Sequence, residues 1–372
     1  MPDDLGTELR LEEDFAYLLR LLPEDWQRQA KRLGALRRCR KVADAESLLR
    51  VLLIHLAEGC SLRETALRVQ RAQIANLSDV AIMDRLRLAG EWFRWMNSEL
   101  IKSWAVQQPK LLTEVQRPVK LVDATRVAEP GPTGSSWVVH YCIDLSSLNC
   151  QEIILTDYHG NGESFERFSP QPNELYIADR AYGTRPGIFH MAQAQAEVLV
   201  RFSLHNLPLQ NPEAGRFDLL RRLRKLKAAQ LGDWPVELQY ENQTLLGRVC
   251  AVKRSRQAAL QAQQKAVQES HQHARQIQST TLESSAYVFV FTTLSAAELT
   301  TSQALELYRG RWQIELVFKR LKSIMALGHL RKIDPRSARS WLEGKLLVAL
   351  LIESLLRHAE SFFPWGYPLP AL

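Results

Sequence analysis

The chain has 372 residues, 46% of them hydrophobic and 24% charged, a balance that excludes disordered and fibrous classes and suggests roughly two globular domains. Forty-eight Lys and Arg against 41 Asp and Glu give a formal net charge of +7, which favours a polyanionic partner without naming one. The five cysteines (Cys39, Cys60, Cys142, Cys150, Cys250) are scattered and lack any C-x-x-C pair, so they read as buried thiols of a reducing compartment, with neither a zinc ribbon nor a disulfide framework. The acidic N-terminus has no apolar signal core, and the longest apolar run, Leu346 to Ile352, is far short of the ~20 residues that span a bilayer. A cytoplasmic or nucleoid protein with no membrane partner is expected.

Up to about residue 110 the pattern is helical. Apolar residues recur at three- and four-residue steps through Phe15, Leu18, Leu19 and Leu22, and again through Leu48, Leu49, Leu52, Leu53 and Leu56. Gly59 ends the second run, Ser61 and Glu64 suit a capping box, and Ser78 opens a third helix. Residues 44 to 100 are equally compatible with a helix-turn-helix DNA-binding unit and with a plain helical bundle.

The texture changes between Pro109 and Pro118. Strands are expected at Val119 to Asp123, Trp137 to Asp144 and Gln151 to Thr156, with a Gly/Pro/Ser loop from Glu129 to Ser136 between the first two. A short helical stretch (Glu163 to Phe168), a strand (Leu175 to Asp179), a helix (Pro186 to Gln195) and a strand (Glu197 to Arg201) complete an α/β pattern with a mixed sheet. Residues 202 to 284 interrupt it with a basic stretch (Arg216 to Lys227), a strand pair turning at Glu241-Asn242-Gln243, and a Gln/Ala-rich helix from about Gln257 to Gln278. Ala286 to Thr292 is again a strand, and helices follow at about 302–326 and 336–361.

Asp123 and Asp179 close apolar strands, which places carboxylates at the sheet edge where open α/β sheets keep their sites. Tyr308, Arg311, Glu315 and Lys322 follow at steps of three, four and seven, so one helix would carry all four along a single stripe. One acid among cations and a phenol suits a metal ligand flanked by phosphate contacts. The alternatives are turn-starting aspartates and a solvated charged face.

The spacing Y-x2-R-x3-E-x6-K is complete in Tyr308, Arg311, Glu315 and Lys322, and the blocks Val122-Asp123-Ala124-Thr125 and Asp179-Arg180-Ala181-Tyr182-Gly183 precede it. On these blocks the chain resembles the DDE insertion-sequence transposases that carry the Y-R-E-K signature, within the ribonuclease-H-like superfamily. The second block departs from the D-R-E-A-D form of some members. It keeps Asp179 but has no counterpart for the later Glu and Asp.

The resemblance implies that Asp123, Asp179 and Glu315 are catalytic and hold two Mg²⁺ or Mn²⁺ ions, hard cations served by oxygen ligands. It implies that Tyr308 and Arg311 grip a phosphate near the cut and that Lys322 touches the DNA backbone. Counting back from the signature tyrosine, Tyr287 occupies the place where some relatives carry an aromatic that stacks on a flipped base. Trp234 is a second stacking candidate, and Trp312 reads as core. Arg221, Arg222 and Arg224, with Arg216, Lys225 and Lys227, form a basic run that suits DNA phosphates, as does the cluster Lys31, Arg32, Arg37, Arg38, Arg40 and Lys41.

The expected architecture is therefore α+β or α/β: a ribonuclease-H-like mixed-sheet core over 111–201 and 285–330, split by an insertion at 202–284. An all-α DNA-binding domain at 1–110 precedes it, and a helical segment at 331–372 packs on the core or joins a dimer. The implied activity is binding of an insertion sequence's terminal inverted repeats, metal-dependent cleavage and strand transfer, with a hairpin intermediate as one route. The implied partners are double-stranded DNA, as transposon ends and target, and a second copy of the chain in the synaptic complex. A non-cutting regulator on the same fold, a nuclease without strand transfer, and a helical scaffold are the rival readings.

Overall fold

The computed structural model describes residues 14–37, 41–105, 115–128, 136–157, 162–213, 215–272, 276–323, 325–328, 330 and 334–362. Cys39, Arg38, Arg40 and most of the loop expected from Glu129 to Ser136 lie outside them.

The N-terminal region is helical as its periodicity demands. Residues 14–20 are helical, followed by α1 (Trp26–Arg32), α2 (Ala45–Ala57), α3 (Leu62–Arg71) and α4 (Asp79–Ala105). Asp44 accepts from Ser47 N at 2.8 Å and starts α2, while Ser78 accepts from Ala81 N at 3.2 Å and starts α4. Ser61 caps α3 by accepting from Glu64 N at 3.2 Å. The capping box expected there is only half made, because the Glu64 carboxylate turns to Arg68 at 2.9 Å.

One nine-stranded mixed sheet follows. Its strands are β1 (Val119–Ala128), β2 (Ser136–Asp144), β3 (Cys150–Thr156), β4 (Leu175–Ala178), β5 (Glu197–Arg201), β6 (Leu209–Gln210), β7 (Leu231–Tyr240), β8 (Gln243–Lys253) and β9 (Tyr287–Thr292). Their spatial order is β3-β2-β1-β4-β5-β9-β8-β7-β6. Only β1–β4 and β4–β5 pair in parallel, and α5 (Arg185–Gln193) makes the β4–β5 crossover. The helical stretch expected at 163–168 is a single 3-10 turn, Phe165–Arg167. The segment 202–284 carries α6 (Leu219–Leu223), α7 (Arg256–Gln272) and α8 (Ser279–Ser284), and its strands β6, β7 and β8 join the sheet through β9.

Alternation along the central strands splits the core in two. Leu121, Ile177, Leu199 and Val290 face the side covered by the N-terminal helices and the last three helices. Val122, Ala178, Val200 and Phe291 face the side covered by α5 and the segment 202–284. Four of the five cysteines, Cys60, Cys142, Cys150 and Cys250, are free and buried.

The helix expected over 302–326 is two helices, α9 (Thr301–Arg309) and α10 (Trp312–Ser323). Gly310 and Arg311 interrupt them, and the backbone crosses the break by i→i+3 bonds, Arg311 N to Tyr308 O at 3.1 Å and Ile314 N to Arg311 O at 3.2 Å. These tighter turns take the place of the α-helical ladder. The last helix, α11 (Pro335–Phe362), lies against α4 and α2. Asn97 Nδ2 donates to Glu343 O at 3.0 Å, Arg87 Nε to Ser337 Oγ at 2.9 Å, and Ser340 Oγ to Arg87 O at 3.2 Å.

Close approach of these helices depends on glycine. A Cβ on Gly344 would stand 2.5 Å from Leu56 Cδ1 and 3.0 Å from Phe93 Cε2, both fully buried. Gly344→Val should overpack this contact and lower stability by about 1–3 kcal/mol, read as a lower urea midpoint with an unchanged slope.

Candidate active site

Asp123 does not close its strand: β1 continues to Ala128 against β2. What ends near Asp123 is the pairing with β4. The parallel register runs Val119↔Leu175, Lys120↔Tyr176, Leu121↔Ile177, and carrying it two residues further sets Asp123 beside Asp179, just past the end of β4. Both lie on the same sheet face as Leu121 and Ile177, and that face packs against Ile314, Phe318 and Leu321 of α10. Two residues distant in sequence thus become neighbours by strand register, and a helix from much later in the chain covers them.

Local hydrogen bonds hold each aspartate. Asp123 accepts from Ala124 N at 2.8 Å, and Asp179 caps the 3-10 turn Arg180–Tyr182 by accepting from Ala181 N at 2.8 Å. That turn is clamped on β5, because a Cβ on Gly183 would meet Arg201 O at 2.7 Å and Phe202 Cβ at 2.9 Å. Glycine is what permits so close an approach.

Arg311 ties the third acid to this pair. Its Nη1 donates to Asp123 Oδ2 at 3.3 Å and its Nη2 to Glu315 Oε1 one turn along α10. The Asp123 and Arg311 side chains are only 14% and 18% exposed, whereas Glu315 is 57% exposed, so Glu315 is the carboxylate open to an incoming ligand. Burial, and then the charge of Asp179, push the Asp123 carboxyl up to about 7, against the opposing pull of Ala124 N–H and Arg311. Burial works against the Arg311 charge, yet Tyr308, Glu315 and Asp123 outweigh it and hold its pKa above the ordinary value. Burial raises the Tyr308 hydroxyl, with Arg311 and Arg201 acting the other way.

Lys322 is exposed near the end of α10, about 10 Å from Glu315 along the axis at 1.5 Å per residue. Trp312 is 41% exposed. The core assignment read from sequence is therefore corrected: Trp312 opens α10 on the solvent side of the break, and Ile314 takes the inward position. Tyr287 is 5% exposed with Lys253 Nζ 5.9 Å from its ring centroid, so the stacking expectation meets a ring already covered. In the basic run, Arg221 is exposed. Arg222 lies over the Phe217 ring at 4.8 Å and donates to Asn211 at 3.1 Å, and Arg224 forms a two-pronged pair with Glu283 at 2.6 and 2.8 Å. Trp234 packs beside Phe217.

Two residues near the site were not among the sequence candidates, although one of them, Tyr182, lies inside the Asp179 block. The Glu163 carboxyl is raised by burial and by Asp179, which places a fourth acid at the cluster. The Tyr182 hydroxyl is fully buried without a hydrogen-bond partner among the described residues, and Asp123, Glu163 and Asp179 help burial to raise its pKa. Only a marked block around Glu163, as around Asp123 or Asp179, could have singled it out.

A family model described as the transposase DDE domain matches residues 116–351. The chain belongs to the DDE transposase family. It is 33% identical over 348 residues to the putative transposase InsL of insertion sequence IS186A from Escherichia coli K12, covering 92% of this chain and 93% of that protein. The transposase of IS421 from Escherichia coli is 33% identical over 349 residues with the same coverage. The transposase of IS231F from Bacillus thuringiensis subsp. israelensis is 25% identical over 202 residues, half of this chain. The transposase has the ribonuclease-H-like mixed sheet that its motifs imply, preceded by a helical region. Among its described residues no helix is long and apolar enough to cross a membrane, and no group of three or more His, Cys, Asp or Glu is drawn together to hold a metal.

The raised Asp123 carboxyl has a measurable consequence. A buried acid whose folded pKa exceeds its unfolded one binds more protons when folded, so its ionisation lowers stability as pH rises from about 4 to about 7. Asp123→Asn removes that charge. In EDTA, thermal melts of the variant should exceed wild type by a margin that is larger at pH 8 than at pH 4.

Proposed function

We propose that this transposase binds the terminal inverted repeats of an insertion sequence, cuts at the element's 3′ ends and joins them to target DNA. The observation that carries the reading is the bridge from Arg311 to both Asp123 and Glu315, beside an Asp179 aligned by strand register. Two acids from separated blocks meet one guanidinium, and a third is aligned beside the first by strand register.

The donor set fits a hard divalent cation. All three side chains offer carboxylate oxygens, and Asp123 is held as a buried acid whose ionisation needs compensating positive charge. Asp123, Asp179 and Glu315 are the residues that would hold two Mg²⁺ or Mn²⁺ ions. Bound there, such ions supply activation of an attacking water or 3′-hydroxyl and stabilisation of the leaving oxygen.

The chain's own groups do the rest. The β1–β4 register and the Gly183 contact fix the two aspartates before substrate arrives. Arg311 presents a planar fork whose paired N–H groups match two phosphate oxygens, and the Tyr308 hydroxyl stands beside it. Lys322 adds a point charge for the backbone farther along α10. The helices α1–α4 are the proposed repeat-binding region: α3 buries only Thr65 and Val69 and turns Arg63, Gln70 and Arg71 to solvent. Two copies would pair the two ends of the element, in a nucleoid setting. A hairpin route rests on the family resemblance alone.

The test is a gel of labelled duplex carrying the element's end, incubated with Mg²⁺ and either wild type or Glu315→Gln. Wild type should give nicked and joined products, while the variant binds with similar affinity and cuts at least 1,000-fold more slowly (on the order expected for loss of a metal-centre group). Binding by both without cutting in Mg²⁺ or Mn²⁺ favours the regulator reading, and cutting without joined product favours the nuclease.

A further inference from the structure

Between the ends of β5 and β8 and the side of α7 lies a cleft of about 500 Å³ that opens beside Asp179 and reaches Tyr308 and Arg311. Its walls add Arg180, Arg201, Arg254 and Lys265, and Asp179 is the sole carboxylate among the described lining residues. Arg201 ends β5 and Arg254 follows β8, the two strands that flank β9. Arg201 pairs with Val290 and the Arg254 N–H bonds Ala286 O, so two strand spacings across and four residues along β9 set their backbones roughly 16 Å apart, a gap narrowed by two long side chains that line one cleft. The backbone of Arg254 is fixed by its N–H donating to Ala286 O at 2.9 Å.

These two half-buried cations lack what cations withdrawn from water ordinarily have. Neither Arg201 nor Arg254 makes an ion pair with any described residue, although other arginines such as Arg117, Arg224 and Arg248 do. The Arg254 Nε atom is buried with no hydrogen-bond acceptor among the described residues. Burial, and then the charge of Arg201, lower its pKa from the usual guanidinium range. Like charges that share a cleft, with an N–H donor left unsatisfied, favour an anion that accepts from both. Of the three proposed catalytic acids only Asp179 lines the cleft, so an anion there lies next to the reacting centre and does not displace it.

We propose that this cleft is a phosphate subsite for the DNA strand adjoining the cut, in which Arg201 and Arg254 together bind one backbone phosphate and α7 forms the outer wall. The assignment rests on the DNA-cutting reading and gives the segment 202–284 a direct part in it: without β8 and α7 the subsite has neither Arg254 nor Lys265.

The test uses the full chain and a duplex oligonucleotide of arbitrary sequence, since phosphate contacts are sequence-independent. Anisotropy titrations over a range of salt should show Arg201→Gln and Arg254→Gln each weakening binding roughly tenfold and reducing the log–log salt slope by about one. Wild-type slopes in both variants, with unchanged melting, overturn the subsite. Should the variants misfold, hydrogen exchange on wild type decides. Residues 254–266 should gain protection with duplex and gain none with orthophosphate at equal ionic strength. No protection by duplex, or equal protection by orthophosphate, overturns the subsite in favour of no site or a free-anion site. The two readings fail separately. Cutting by wild type with no slope change in the variants removes the subsite alone, whereas slope changes without any cutting remove the cleavage reading and leave the subsite standing.

Discussion

Acids gathered away from water repel one another, and the rest of this structure is arranged around holding Asp123 and Asp179 in that condition. Burial and mutual repulsion push the Asp123 carboxyl up to about 7, so no local preference would bring the two together. Strand pairing does it: the parallel β1–β4 register leaves them no freedom to separate. The sheet in turn is fixed because both of its faces are covered, by the helical layer on one side and by α5 and the segment 202–284 on the other. Arg311 then supplies positive charge to Asp123, the more burdened of the two acids.

Much of this was legible in the sequence, for reasons that differ by residue. Short apolar runs between turns, such as Val119 to Val122, revealed the strands, and the spacing from Tyr308 to Lys322 revealed the signature. The meeting of Asp123 with Asp179 could be inferred only through family resemblance, because register between strands more than fifty residues apart leaves no local trace. The break at Gly310–Arg311 was hidden by a pattern that stays helical across it, since i→i+3 turns nearly preserve the face. Trp312 misled by its chemistry: a large apolar ring reads as core, yet its position at the start of α10 leaves it in solvent. Glu163 and Tyr182 were invisible because their importance comes from neighbours brought in by the fold.

The segment 202–284 looked like an interruption between blocks of chemistry. In space its strands extend the sheet that carries the aspartates, and its end lies along the cleft next to Asp179. The charges counted from sequence in Arg216 to Lys227 are partly engaged within the protein, as with Arg224 and Glu283. Of the cations that line the cleft, Arg201 stood singly at a strand end, and Arg254 stood in the short group Lys253-Arg254-Ser255-Arg256, far shorter than the run that drew notice. Clustering in sequence and clustering in space are different properties, and here the second marks the site.

The embrace of α4 by α11 also bears on how the protein is made. A ribosome adds roughly 5–20 residues per second from the N-terminus, so α2 and α4 emerge long before the helix that covers Leu56 and Phe93. Glu315 likewise arrives only after β9 has closed the sheet. A chain arrested partway therefore has a bare apolar helical surface and two acids without their third. A half-made chain is thereby conspicuous to chaperones and proteases before its proposed catalytic acids are assembled.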